Sequence, residues 1–164
     1  MKFNYYAFRA MYLHEMDRFK RTLMQSLFSP VLSTSLYFIV FGSVIGGYVE
    51  KIDGISYGSF IVPGLLMLTL LTQSISNTSF GIFFPKFNGT IYEILAAPIS
   101  TFEIVLAFVG AGATKTLIVG LVIFLTSIFF VEVQVMYPLL MIFLLVLVAF
   151  TFALFGFLIG LMSS

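Results

Sequence analysis

Few residues of this sequence could do chemistry. Among 164 residues there are seven carboxylates, one histidine and no cysteine. Without cysteine there is no thiol or disulfide chemistry, and redox usage says nothing about compartment. A single histidine with scattered carboxylates provides no metal-ligand set and no acid–base pair. His14 falls on the wet face of a helical pattern and is read as a bystander. The segment Val109-Gly-Ala-Gly-Ala-Thr-Lys115-Thr116 has the look of a phosphate-binding loop. A Walker A loop needs glycine directly before the lysine and another five residues earlier, where this chain has Thr114 and Val109. No strand precedes it, so no nucleotide site is expected. Asn77-Thr-Ser79 and Asn88-Gly-Thr90 match glycosylation sequons but fall inside a span and in an inner loop. The chain is therefore read as a non-enzyme with no catalytic or metal site.

Two polar constellations are left. Thr69, Thr72, Gln73, Ser76 and Asn77 recur at i, i+3, i+4, i+7 and i+8, the spacing of one helix face. In an apolar helix that face must meet protein or water. Two readings stand: interhelical hydrogen bonds, each contributing about 1 kcal/mol or less, or the lining of a translocation path. The second constellation is Pro85–Glu103, the longest polar interruption in the chain. Thr90-x-x-Glu93 and Ser100-x-x-Glu103 are both capping-box patterns. Pro98 closes the first helix, because proline lacks the N–H and disfavours helical geometry at Ala97. A helix of about two turns is expected between the punctuated ends, as a surface on which another protein acts.

The elements that position these residues follow from composition and charge. The chain is 60% hydrophobic and 9% charged, with mean hydropathy +1.12. Soluble domains carry about 25% charge, so the bilayer is the solvent. An all-α, polytopic membrane protein is expected, with no nucleic-acid partner. Residues 1–21 read as an interfacial amphipathic helix against membrane lipid. Met1, Tyr5, Phe8, Tyr12, Met16, Phe19 and Leu23 form its stripe, with His14, Asp17, Arg18 and Arg21 opposite. No secretory leader is read there. Roughly 20 apolar residues span a bilayer. Spans are expected at about 22–49 (with Pro30 near its start and Gly42-x-x-x-Gly46), 60–84 (bent near Pro63-Gly64), 114–132, and 137–162 with Gly156-x-x-x-Gly160.

Taken whole, the third helix would run about 45 Å at 1.5 Å per residue, longer than a hydrocarbon core of about 30 Å. A break at Gly110-Ala-Gly112 is the favoured solution, with Lys115 snorkelling at the boundary. The alternative is one tilted helix with Lys115 facing the bundle interior. Lys2, Arg9, Arg18, Lys20, Arg21 and Lys86 fall on one side and Lys51 on the other. By the positive-inside rule the N-terminus and the 85–103 loop are cytoplasmic.

In this order and spacing the chain resembles the permease subunits of ABC-2 type exporters. The resemblance is carried by the basic amphipathic N-terminus, Leu27-Phe-Ser-Pro30, Leu36-Tyr-Phe-Ile-Val-Phe-Gly42, Phe60-Ile-Val-Pro-Gly64 and Gly89-Thr-Ile-Tyr-Glu-Ile-Leu-Ala-Ala-Pro98. It implies an N-terminal elbow helix, six transmembrane helices, and two permease subunits (a homodimer or heterodimer) paired with two ATPase subunits that bind ATP and Mg. It implies location in the bacterial inner membrane and a coupling helix in the 85–103 loop. Thr90 and Glu93 would cap that helix, Ile91, Tyr92 and Leu95 would contact the ATPase, and Pro98 would fix its end. This sequence holds four of the six spans and reads as C-terminally truncated against the family. Rival readings are a small four-helix scaffold or assembly protein, and a passive channel lined by Thr72, Gln73 and Asn77.

Overall fold

The computed structural model describes residues 3–45, 54–133 and 135–163. Its helices are α1 (Tyr5–Arg21), α2 (Leu23–Tyr37), α3 (Tyr57–Phe87), α4 (Ile91–Ala96), α5 (Thr101–Phe130) and α6 (Pro138–Met162). A π-helical stretch, Phe38–Ile45, continues α2. Among the described residues four segments are long and apolar enough to cross a membrane: Leu23–Phe41, Tyr57–Phe87, Thr101–Phe130 and Pro138–Met162. The protein is polytopic and all-α. Gly46, Glu50, Lys51 and Asp53, and with them the first GxxxG face and most of the expected polar hairpin, lie outside the described residues.

The bundle is built around α3, which packs most extensively on α6 and then on α5. Small residues set that approach. Ala149, Ala153, Gly156 and Gly160 form one buried stripe on α6. A side chain on Gly156 would overlap the Ile75 carbonyl, and a Cβ on Gly160 would lie 2.6 Å from the Ser79 carbonyl oxygen. Without a hydrophobic drive between helices in lipid, such close backbone contact is the main source of attraction. Ser74 adds a buried hydrogen bond across the same seam, donating to the Ala149 carbonyl at 2.6 Å. On the other flank Gly112 of α5 leaves the notch that the Thr78 hydroxyl fills. Phe108 and Val109 of α5, Ile82 of α3 and Phe157 of α6 close the core at the α4 end.

Two expectations are corrected here. The break at Gly110–Gly112 is absent: α5 is one helix of 30 residues. The small residues there serve packing, with the Tyr12 ring 4.0 Å from where a Gly110 Cβ would sit. Lys115 does not snorkel either. It is buried, with its Nζ 2.7 Å from Glu15 Oε2. Prolines do not interrupt α3, which runs through both Pro63 and Pro85.

α1 lies alongside α5 over most of its length. The Asn4 N–H donates to Glu103 Oε1, the Tyr12 hydroxyl to Thr114 Oγ1 at 2.9 Å, and Lys115 to Glu15. Its buried residues are Glu15 and Phe19, so the protein-facing side is turned from the expected apolar stripe towards Glu15. Tyr5, at the start of that stripe, is exposed, and Arg18, expected opposite it, pairs with Glu15 at 3.1 Å. Thr22 ends α1, its hydroxyl and N–H both turned back to the carbonyls of Arg18 and Phe19.

If the α3–α6 seam rests on backbone contact, bulk there should cost more than bulk on the outer face. Gly156→Leu is expected to lower stability by about 1–3 kcal/mol or to prevent folding. Leu158→Met, on the exposed side of α6, should stay within about 0.5 kcal/mol. Thermal unfolding of the purified protein in one detergent compares the two directly.

Candidate functional site

The polar loop joins the two helices that flank the core. α3 ends at Phe87 with Asn88 as its C-cap, and Gly89 turns the chain with φ +78°, a left-handed conformation that side chains avoid. Helix α4 begins at once, with Tyr92 and Glu93 N–H groups bonded to the Gly89 and Thr90 carbonyls. The expected first capping box is not formed. Thr90 already has helical angles (φ −62°, ψ −20°) and makes no side-chain cap bond. A cap residue must sit in extended geometry for its oxygen to reach the amide three residues on, and the Gly89 turn removes that option. Glu93 is exposed.

The other end behaves as expected. Ala97 is extended ahead of Pro98, and α4 stops there. Ser100 and Glu103 form the full reciprocal box: the Glu103 N–H donates to Ser100 Oγ at 3.3 Å, and the Ser100 N–H to Glu103 Oε2 at 2.9 Å. The second Glu103 oxygen accepts from the Asn4 N–H, so one buried carboxylate ties the loop's exit to the start of α1. At the loop's entrance Lys86 donates to the Leu161 carbonyl at 2.8 Å and to the Ser163 carbonyl. That ammonium satisfies free carbonyls at the end of α6 and complements its dipole. Sequence reading missed both tethers; a lysine near one helix end carries no sign of which helix it will cap.

α4 has two sides. Ile91 and Ile94, with Ile99 beyond it, pack against the core cluster, which makes Ile91 an anchor rather than an outward contact. Tyr92 and Leu95 face out, 73% and 61% exposed, and Pro98 is exposed beside them. Phe87 and Phe102, on the flanking helices, are exposed as well.

The polar stripe of α3 is divided. Thr69 and Thr72 donate to carbonyls of their own helix, those of Leu65 and Leu68, at 2.8 and 2.9 Å. Asn77 donates to Thr116 Oγ1 of α5 at 3.4 Å. Thr69, Gln73 and Asn77 are half-buried, whereas Thr72 and Ser76 are exposed. The buried hydroxyls of α3 are instead those of Ser74 and Thr78. A cavity of about 870 Å³ lies at the far end of the bundle, among Ser59, Phe60, Met67, Glu132, Tyr137 and Leu144, and none of the five stripe residues lines it.

Comparison with known proteins agrees with this architecture. The family model for ABC-2 type transporters matches residues 6–164. The chain belongs to that family. It is 38% identical over 158 residues to the inner membrane transport permease YadH of Escherichia coli (strain K12), covering 96% of this chain and 62% of that relative. The proteins of the same name from Escherichia coli O157:H7 and Shigella flexneri match to the same extent. The chain thus spans 62% of the length of these curated relatives. No solved structure matches.

For this family member the two boxes should differ in energy. Ser100→Ala is expected to cost about 1 kcal/mol and to speed hydrogen exchange at the 102–104 amides. Thr90→Ala should change stability by no more than a few tenths of a kcal/mol, because no cap bond is lost. Exchange measured by mass spectrometry on both variants distinguishes them.

Proposed function

We propose that this chain is the membrane permease subunit, or the major part of one, of an ABC-2 type exporter driven by a separate ATPase. Membership of the family and the likeness to inner membrane transport permeases support the permease role. The observation that carries the coupling role is α4 itself: a short helix anchored inward by Ile91 and Ile94, with Tyr92 and Leu95 presented outward. In this reading ATP and Mg are bound and hydrolysed by the partner ATPase. Closure of the ATPases pushes α4, and α3 and α5 carry the movement into the membrane. Tyr92 and Leu95 form the contact, Glu93 at the exposed edge takes part through its charge, and Pro98 with the Ser100 box fixes the geometry. Thr90 opens the helix without capping it.

The loop and the N-terminus lie on the cytoplasmic side, supported by the gathering of Arg9, Arg18, Lys20, Arg21 and Lys86 at that end. Two permease subunits, alike or different, share the membrane in the working assembly. The stripe of Thr69, Thr72, Gln73, Ser76 and Asn77 is the candidate substrate path; its exposed members, Thr72 and Ser76, would then face a second subunit.

Truncating a central aromatic at a protein interface costs about 2 kcal/mol or more, about thirtyfold in affinity. Tyr92→Ala in the complete permease is expected to lose ATPase capture by that factor and to abolish stimulated hydrolysis, with thermal stability unchanged. Capture and hydrolysis at parental levels in a Tyr92→Ala/Glu93→Ala variant would remove α4 from the coupling role.

A further inference from the structure

The carboxylate of Glu15 occupies a place that its position on α1 does not explain by itself. Its side chain is 4% exposed, and Oε2 lies 2.7 Å from Lys115 Nζ on α5 and 3.1 Å from Arg18 Nη2 on α1. It also abuts α3. A Cβ on Gly81 would sit 3.6 Å from the same oxygen, so the absence of a side chain there leaves it room. Arg18, held by Glu15, stands over the Phe84 ring of α3 at 5.9 Å. One carboxylate therefore meets α1, α3 and α5 together. The last two are the helices that enter and leave α4. Farther along, Tyr12 bonds Thr114 and the Asn4 amide bonds Glu103, so α1 is fastened to α5 at three levels.

A buried ion pair is a poor device for stability alone, since apolar residues of similar volume usually do as well. Its asymmetry is its use. Separating the partners leaves a charge stranded in a low-dielectric interior, so arrangements in which α1 slides or lifts from α5 are disfavoured steeply. We infer that Glu15 is a positioning residue: it staples α1 across the two stalks of α4, so that α1, α3 and α5 move as one body. Displacement of α4 then carries the N-terminal helix with it. This consequence for transport rests on the reading of α4 as the ATPase contact; the staple itself does not.

These 164 residues contain no cysteine, so an introduced pair is labelled cleanly once any cysteine in the remainder of the complete permease is replaced by serine. Ala10→Cys on α1 and Ala96→Cys at the end of α4, both exposed positions, carry spin labels in the complete permease in lipid nanodiscs. One narrow distance distribution is expected, unchanged when ATPase and non-hydrolysable nucleotide are added. Glu15→Gln should broaden it and lower ATP-driven transport about tenfold, within the range by which such residues alter coupling. ATPase capture should stay within about twofold, because Tyr92 and Leu95 are untouched. Glu15→Gln/Lys115→Gln, which strands no buried lysine, should be narrower than the single variant and tests the staple should the single variant not fold.

A narrow distribution in Glu15→Gln would overturn the staple. So would additive damage in the double variant, or a parental distance that shifts with nucleotide. Failure of the α4 reading would look different: Tyr92→Ala would retain ATPase capture while the distances behaved as expected.

Discussion

A lysine ammonium in the middle of an otherwise apolar helix must be solvated by protein if it cannot reach water. Lys115 meets that condition through Glu15, one hundred residues earlier in the chain. Much of the architecture at the α4 end follows from this pair. It keeps α1 against the bundle instead of free on its surface. The Gly110–Ala113 run must stay small and helical so that Tyr12 and Thr78 can come close on either side. Arg18 is drawn to the same carboxylate, which sets it against Phe84. A buried charge with few permitted partners thus specifies how three helices are arranged, where apolar contacts alone would tolerate several arrangements.

The remaining bundle is held by shape. In lipid an exposed leucine and a buried one differ little in solvation, so helices associate where backbones approach closely and dispersion contacts accumulate. The small stripe of α6 and the glycines of α5 cut matching grooves for α3, and Ser74 uses the shared seam to satisfy its hydroxyl on a backbone carbonyl. Threonines at the edge of the seam bond within their own helix and ask nothing of a neighbour. That leaves Thr72 and Ser76 on the outer face of α3 exposed among the described residues.

Helix α4 is too short to be stable alone, since six residues barely exceed the nucleation cost of a helix. Its order comes from context: Ile91 and Ile94 in the core, Gly89 and Pro98 at its ends, and the Ser100 box beyond. The same context decides which side chains are offered outward. Lys86 and Glu103 bind the two ends of the loop to α6 and α1, so this small exposed helix is joined through polar contacts to every flanking element.

Composition and periodicity were enough to determine an all-α polytopic membrane protein, the short helix closed by Pro98, and the cap at Ser100. These depend on local rules: the length of a bilayer crossing, the geometry of proline, and a box whose partners are three residues apart. The basic N-terminus and the motifs from Leu27-Phe-Ser-Pro30 to Gly89–Pro98, in their order and spacing, were enough for the family. Tertiary structure alone decided that Lys115 faces inward, that α5 does not break, that Ile91 anchors while Tyr92 and Leu95 project, and that Ser74 and Thr78 rather than Thr72 and Ser76 are buried. Each of those depends on which helix lies beside which. A pattern of spacing gives the faces of one helix but not its neighbours, and the partner of Lys115 lies one hundred residues away.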